Sequence, residues 1–504
     1  MYVYKHTSLV LAIIGLSMVM LSFILGGVAV LDAFILLLVP AFMIYVFSLY
    51  HEWPDFHRHT KIALILMFVC LALAFISKSR FTLFIIDDNY HTAKIVAYSI
   101  KNDFDKKLEY VIPLRGWKQY ADARYFYLDY IECLWGLLWR LTGWEFSLVL
   151  LQGLPILLLW KQLVNYLQDE GVKRFAGPLG LATVLSMQVL WCQLGSGYID
   201  AMVGLCVALV LVGCYRILGF PERASNFPEL IALAFISSVT LNLKLPMTPV
   251  GVFGLAVAYW YSFRHLSRRQ FFLVVLVSVA GLAYSCYHYF RVWQTMGHPL
   301  YPVIQVNAGK DVTHFNASDG GVMGGYFECH PIFAILDKLH MHFRAFYVLA
   351  SWLFDYKYRA YVTPDPWVGG RGVLWTWLVC PTIFLTFCRM AVQPKRFRIL
   401  MSRKSLILML VILYVVGFNG TMVARFFLGF NIFIMAWALA KFGQKLEGLR
   451  NTNVAVLVVW LCVLLSFKSF WQAMNGVMFV KRNHSVLEEQ RINFPVFVPP
   501  TSVP

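Results

Sequence analysis

Lys61-Ile-Ala-Leu-Ile-Leu-Met-Phe-Val-Cys-Leu-Ala-Leu-Ala-Phe-Ile-Ser-Lys-Ser79 runs almost without pause into Phe81-Thr-Leu-Phe-Ile-Ile-Asp-Asp-Asn-Tyr-His91. The first stretch carries charge only at its edges. As a helix rising 1.5 Å per residue it is long enough to cross about 30 Å of hydrocarbon. The second stretch ends on two adjacent carboxylates, Asp87 and Asp88. Acids at the lip of a membrane helix are costly to desolvate and repel each other, so structural convenience explains them poorly.

The rest of the chain repeats the first pattern. Of its 504 residues 60% are hydrophobic and only 14% charged, more apolar surface than a soluble protein of this length could hide. Apolar runs long enough to span recur at 8–26, 29–49, 61–79, 145–167, 176–194, 198–219, 229–244, 248–264, 271–290, 372–390, 404–419, 426–441 and 453–472. The fold class expected is an all-α polytopic bundle of about thirteen transmembrane helices. The run at 8–26 lacks a small-residue cleavage pattern and is followed at once by another apolar stretch, so it reads as a retained span rather than a signal peptide.

Charge placement gives the expected sidedness. The formal net charge of +17 is spread over short loops rather than gathered into a nucleic-acid-binding patch, which argues against nucleic acid and for contact with membrane lipids. With the N-terminus inside, the inner loops hold Arg58/Lys61, Lys173/Arg174, Arg216/Arg223, Arg264/Arg268/Arg269, Arg389 to Lys404 and Lys441/Lys445/Arg450. The short outer turns near 26–28, 195–197 and 245–247 hold no basic residue. Asp87 and Asp88 follow an odd number of spans and fall outside.

The chain divides accordingly. Residues 1–79 form N-terminal membrane helices and 80–144 an outer loop with amphipathic, interfacial helices. Residues 145–290 form central membrane helices, 291–371 a second outer loop with its own amphipathic helix, 372–472 C-terminal membrane helices, and 473–504 an outer tail. Loops this long in a compact membrane protein usually have a job. The ten cysteines include Cys70, Cys206, Cys214, Cys380, Cys388 and Cys462 inside apolar runs, where they act as small hydrophobes, and no C-x-x-C pairing occurs.

Several outer-side residues could carry chemistry. Asp87 and Asp88 could cap the helix beginning near His91. One of them could instead take a proton from an acceptor, or the pair could hold a divalent cation such as Mg or Mn. Lys244, Arg371 and Arg425 sit at outer ends of spans, where snorkelling to headgroups is common. Three cations on the face that holds the acids suit a phosphate site. Asp200 opens a span on that side, as a cap or as the partner of one of these cations. Asp32 is an intramembrane acid of no assigned role, and Lys161 is expected to snorkel inward. His314, His330, His340 and His342 have no metal-ligand spacing and read as surface histidines.

In this order the features resemble those of the C-fold (GT-C) membrane glycosyltransferases, in particular bacterial members that take sugars from polyprenyl-phosphate carriers. Asp87-Asp88-Asn-Tyr-His91 is similar to the acidic motif of their first large outer loop. Gly197-Tyr-Ile-Asp200 resembles a Tyr-x-Asp opening a middle span, and Leu243-Lys-Leu-Pro246 their outer-facing Lys turn. Gly297-His-Pro-Leu-Tyr-Pro302 is close to a Gly-Asn-Pro-x-Tyr-Pro element, with His298 replacing Asn. Arg425-Phe-Phe-Leu428 resembles an Arg-aromatic start to a late span. Together these cover about 80–430.

The resemblance implies inverting transfer at the outer face of a bacterial inner membrane, to a glycan, lipid or protein acceptor. Asp87 or Asp88 would be the base, and Lys244, Arg425 and Arg371 would hold the donor phosphate. Tyr90, His91, Tyr198, Asp200, His298 and Tyr301 would line the substrate pocket. The alternatives are a polymerase or ligase of lipid-linked polysaccharide and, from another class, a lipid or solute transporter or flippase. A transporter should show broken helices and polar residues near mid-membrane.

Overall fold

A computed structural model of the chain describes residues 56–78, 131–132, 147–194, 199–224, 227–244, 247–296, 374–392 and 428–482. About 90% of this part is helical, and no strand occurs among the described residues. The helices are α1 (Arg58–Lys78), α2 (Ser147–Asp169), α3 (Ala176–Ser186), α4 (Gln188–Gln193) and α5 (Asp200–Gly219). Then come the four-residue α6 (Pro221–Ala224), α7 (Phe227–Leu241), α8 (Thr248–His265) and α9 (Arg268–Met296). A π-helical turn at Trp375–Val379 leads into α10 (Cys380–Val392), and α11 (Leu428–Glu447) and α12 (Thr452–Arg482) follow. The expected runs 8–26, 29–49 and 404–419 lie outside the described residues.

Two of these segments, Asp200–Gly219 and Thr452–Met474, are long and apolar enough to cross a membrane. They differ in surroundings. α5 is buried on nearly all sides because α2, α7, α8 and α11 pack around it. α12 lies against α3 and α4 and leaves Leu457, Leu461, Leu464 and Trp471 exposed on its other side. α1 is split the same way. Ala63, Met67, Cys70 and Ala74 are buried, whereas Ile62, Ile65, Phe68, Val69, Leu73 and Ile76 form an exposed apolar stripe. Water-facing helices carry polar residues along their outer side; the α1 stripe carries none, and that of α12 only Lys468 between Leu457 and Trp471.

Small residues let the central helices approach closely. A Cβ at Gly429 of α11 would lie 2.6 Å from the backbone oxygen of Gly204 in α5, and a Cβ at Gly204 would lie 2.7 Å from the Leu428 side chain. Such backbone proximity is how apolar helices gain packing energy where hydrophobic burial between them is weak. Of the cysteines in apolar runs, Cys70, Cys206, Cys214 and Cys462 are buried as small apolar residues, whereas Cys380 is half-buried and Cys388 exposed; all six are unbridged.

The expected single span at 176–194 is instead two helices, broken at Met187 (φ −81°, ψ 81°). No proline or glycine lies within five residues of the break. Side chains add hydrogen bonds to the backbone carbonyls just ahead of it. The Thr183 hydroxyl donates to the Leu179 carbonyl at 2.9 Å and the Ser186 hydroxyl to the Thr183 carbonyl at 2.8 Å. The Trp191 indole N–H donates to the Val184 carbonyl at 3.1 Å, which also accepts from the Met187 amide. Backbone groups away from water must find partners, and the Ser186 hydroxyl supplies one to the Thr183 carbonyl, which the Met187 amide bypasses for Val184.

Candidate functional site

α5 and α7 run antiparallel, and both of their ends carry polar contacts. At one end Asp200 is the first residue of α5, and Ile199 occupies the N-cap position without a side-chain bond. The chain leaving α7 turns at Asn242 and Leu243, with amide bonds back to Val239 and Thr240. The expected span 229–244 is therefore helical only to Leu241, and its last three residues form the turn that presents Lys244. Met247 N–H then donates to the Lys244 carbonyl at 2.9 Å. Asn242 secures the turn from inside, its amide nitrogen donating to the carbonyls of Ser238 and Gly281.

The Lys244 ammonium donates to the Asp200 carboxylate. Asp200 is almost wholly buried, its side chain 5% exposed, whereas that of Lys244 is 24% exposed. Of the two readings of Asp200, cap or ion partner, the contact is the second. The negative charge also sits at the favourable end of the α5 dipole. What results is a cation held at one end of the bundle by a buried acid, with part of its surface exposed.

The opposite end holds a larger network, which reading the sequence did not assemble. Arg216, in the last turn of α5, donates from Nε to Asp169 at 2.8 Å and from Nη1 to Gln162 at 2.8 Å and Glu229 at 3.1 Å. Beside it, Glu170 accepts from the Tyr215 hydroxyl at 3.2 Å, the Lys441 ammonium at 3.2 Å and the Gln444 amide at 3.1 Å. Glu447, in the last turn of α11, accepts from the backbone N–H groups of Arg174 at 2.6 Å and Phe175 at 3.3 Å, satisfying amides ahead of α3. This network ties the α2–α3 turn to α5, α7 and α11. The sequence marked Arg216, Arg174 and Lys441 as inner-side charges for headgroups. For Arg216 the structure shows burial among acids instead, and the signal was the acids flanking the same spans: Asp169, Glu170 and Glu229.

Lys161, expected to snorkel, places its ammonium 4.8 Å from the Phe56 ring centre. On the same side His59 stacks on His57 and lies edge-on to Trp460. Burial and the neighbouring His57, Arg58 and Arg174 hold its pKa below the ordinary 6.5.

Of the sequence-derived site residues, the structure brings together Lys244 and Asp200. Asp87, Asp88, Tyr90, His91, Tyr198, His298, Tyr301, Arg371 and Arg425 lie outside the described residues. The divalent-cation expectation at Asp87 and Asp88 lies there too. Among the described residues no cluster of His, Cys, Asp or Glu could hold a metal ion. No family model, curated protein or solved structure matches the chain.

Proposed function

We propose that the chain is an integral-membrane, inverting glycosyltransferase of GT-C type, drawing its sugar from a polyprenyl-phosphate carrier at the outer face of a bacterial inner membrane. The observation that supports this reading best is the Lys244–Asp200 pair. Two residues picked from separate spans as outer-face site residues meet at one end of the bundle. The membrane setting is supported by the two span-length apolar helices and by the exposed apolar stripes of α1 and α12, which water would penalise.

In the proposed reaction the acceptor hydroxyl attacks the anomeric carbon as the bond from that carbon to the carrier phosphate breaks. The proton passes to Asp87 or Asp88, and the leaving phosphate keeps the bonding electrons. Lys244, with Arg425 and Arg371, would stabilise the phosphate as its charge grows. A fixed cation in a partly dry site does this at little reorganisation cost. Asp200 would keep the ammonium in place before the substrate arrives. Asp87→Asn and Asp88→Asn, made separately, should leave expression normal while at least one abolishes transfer. Full activity in both and in the double variant would remove the proposed base.

A second reading, a lipid or solute transporter, is favoured by one observation: the break at Met187, next to Gln188, whose buried amide oxygen and nitrogen have no hydrogen-bond partner among the described residues. Discontinuous helices with polar side chains occur at transporter substrate sites. Labelling of single cysteines from both sides of the membrane separates the two readings. Access to residue 188 that switches sides during turnover belongs to a transporter, and access from one side alone to the enzyme.

A further inference from the structure

The turn between α8 and α9 carries Arg264, His265, Arg268 and Arg269 within six residues, all four exposed. The sequence holds no Asp or Glu between Glu229 and Asp311. Among the described residues none of the three arginines is paired with an acid. This sets them apart from Arg216, which is buried between Asp169 and Glu229.

The turn is rigidly built. Leu266 packs against the core, and Ser267 and Gln270 cap each other. The Ser267 N–H donates to Gln270 Oε1 at 3.1 Å, and the Gln270 N–H donates to Ser267 Oγ at 3.4 Å, a reciprocal capping box. The Arg268 and Arg269 side chains stand exposed on this turn.

Large apolar rings begin about one helical turn from these charges. Trp260 is 56% exposed, Phe263 77% and Phe272 64%. The Arg264 guanidinium lies over the Trp260 ring, 4.0 Å from its centre. Uncompensated cations bordering exposed rings match a ligand with an anionic head and an apolar body. Aromatic side chains favour the headgroup level of a bilayer, and basic segments there attract anionic lipid.

We infer that the α8–α9 turn is a binding site for anionic phospholipid headgroups, with Arg264, Arg268 and Arg269 contacting the phosphate and Trp260, Phe263 and Phe272 contacting the glycerol and acyl region. The inference rests on the membrane reading above but not on the transferase reading.

The test is native mass spectrometry of the full-length protein released from nanodiscs of equal phosphatidylglycerol and phosphatidylcholine. The wild type should retain phosphatidylglycerol in preference. The triple variant R264Q/R268Q/R269Q should lose that preference, each charge removed weakening binding roughly fivefold. R264K, which keeps the charge but loses the planar group over Trp260, should fall between them and guards against misfolding of the triple variant. K445Q/R450Q, at another exposed basic turn, should behave as wild type. Equal retention of both lipids by the wild type, or unchanged retention by the triple variant, would overturn the site. An equal loss in K445Q/R450Q would reduce it to general surface charge, and displacement by millimolar inorganic phosphate would make it a soluble-anion site; either defeats the proposal. Failure of the membrane reading is distinguishable, because the protein would then wash from membranes without detergent.

Discussion

Lys244 and Asp200 stand 44 positions apart in the chain, yet their side chains meet at one end of the bundle. The pair does two things at once. It clamps the start of α5 to the turn after α7, and it fixes where an ammonium sits.

A clamp and a phosphate-binding cation respond differently to exchange. Lys244→Ala should cut transfer by about 100-fold or more, the order seen when one charge-stabilising donor is removed. Asp200→Asn should cost less in transfer, because the ammonium survives with looser placement. The exchange variant D200K/K244D should recover thermal stability but not transfer. A transfer assay alongside thermal unfolding checks this, and recovery of both would make the pair a clamp only.

Arg216 at the other end predicts a stability effect. Arg216→Met takes the guanidinium from Asp169 and Glu229 in a buried setting, where breaking an ion pair costs about 3–5 kcal/mol. The Lys441 side chain is 40% exposed, so solvent screens it and Lys441→Met should cost about 1 kcal/mol or less. Unfolding in mixed detergent micelles measures both. Equal effects would mean that the Arg216 network is not the stronger tie.

The α5–α11 crossing makes a steric prediction. Gly429→Ala puts a methyl group against the rigid Gly204 backbone and should destabilise by about 1–3 kcal/mol, as overpacking does. Gly153→Ala is the contrast, because its Cβ would meet Leu71 at an ordinary 3.9 Å. It should be neutral or stabilising, since alanine favours helix over glycine by about 1 kcal/mol.

His59 predicts a pH dependence. Its folded-state pKa lies below the ordinary 6.5, so the unfolded chain binds the proton more readily. The neutral ring's contribution to stability is then complete above pH 6.5 and is lost as the pH falls from there towards the folded-state value. His59→Gln should flatten that part of the thermal-unfolding profile.

Much of the helical layout was legible because apolar length reports it directly. The runs at 198–219 and 453–472 coincide closely with the two span-length segments, Asp200–Gly219 and Thr452–Met474. The turn at Lys244 was legible through Pro246, which cannot continue a helix. The break at Met187 was not, because Leu185-Ser-Met-Gln-Val189 contains neither proline nor glycine. Local bonds from Thr183, Ser186 and Trp191 accompany it, but Ser and Thr make such bonds to the preceding turn inside unbroken helices too, so they give no break signal. Arg216 was read as a headgroup charge because Asp169 and Glu229 reach it across 47 and 13 positions, and pairing across helices leaves no local pattern. The same holds for the Asp200–Lys244 contact, which joins side chains 44 positions apart.

The most direct measurement is mass spectrometry of the isoprenoid lipid that co-purifies with the double variant D87N/D88N. Without the base, donor should accumulate on the protein as an isoprenoid phosphate still carrying its sugar, and adding K244A should release it. A correctly folded double variant that carries no isoprenoid phosphate, or one that carries it equally with and without Lys244, would contradict a donor site at the Lys244–Asp200 pair.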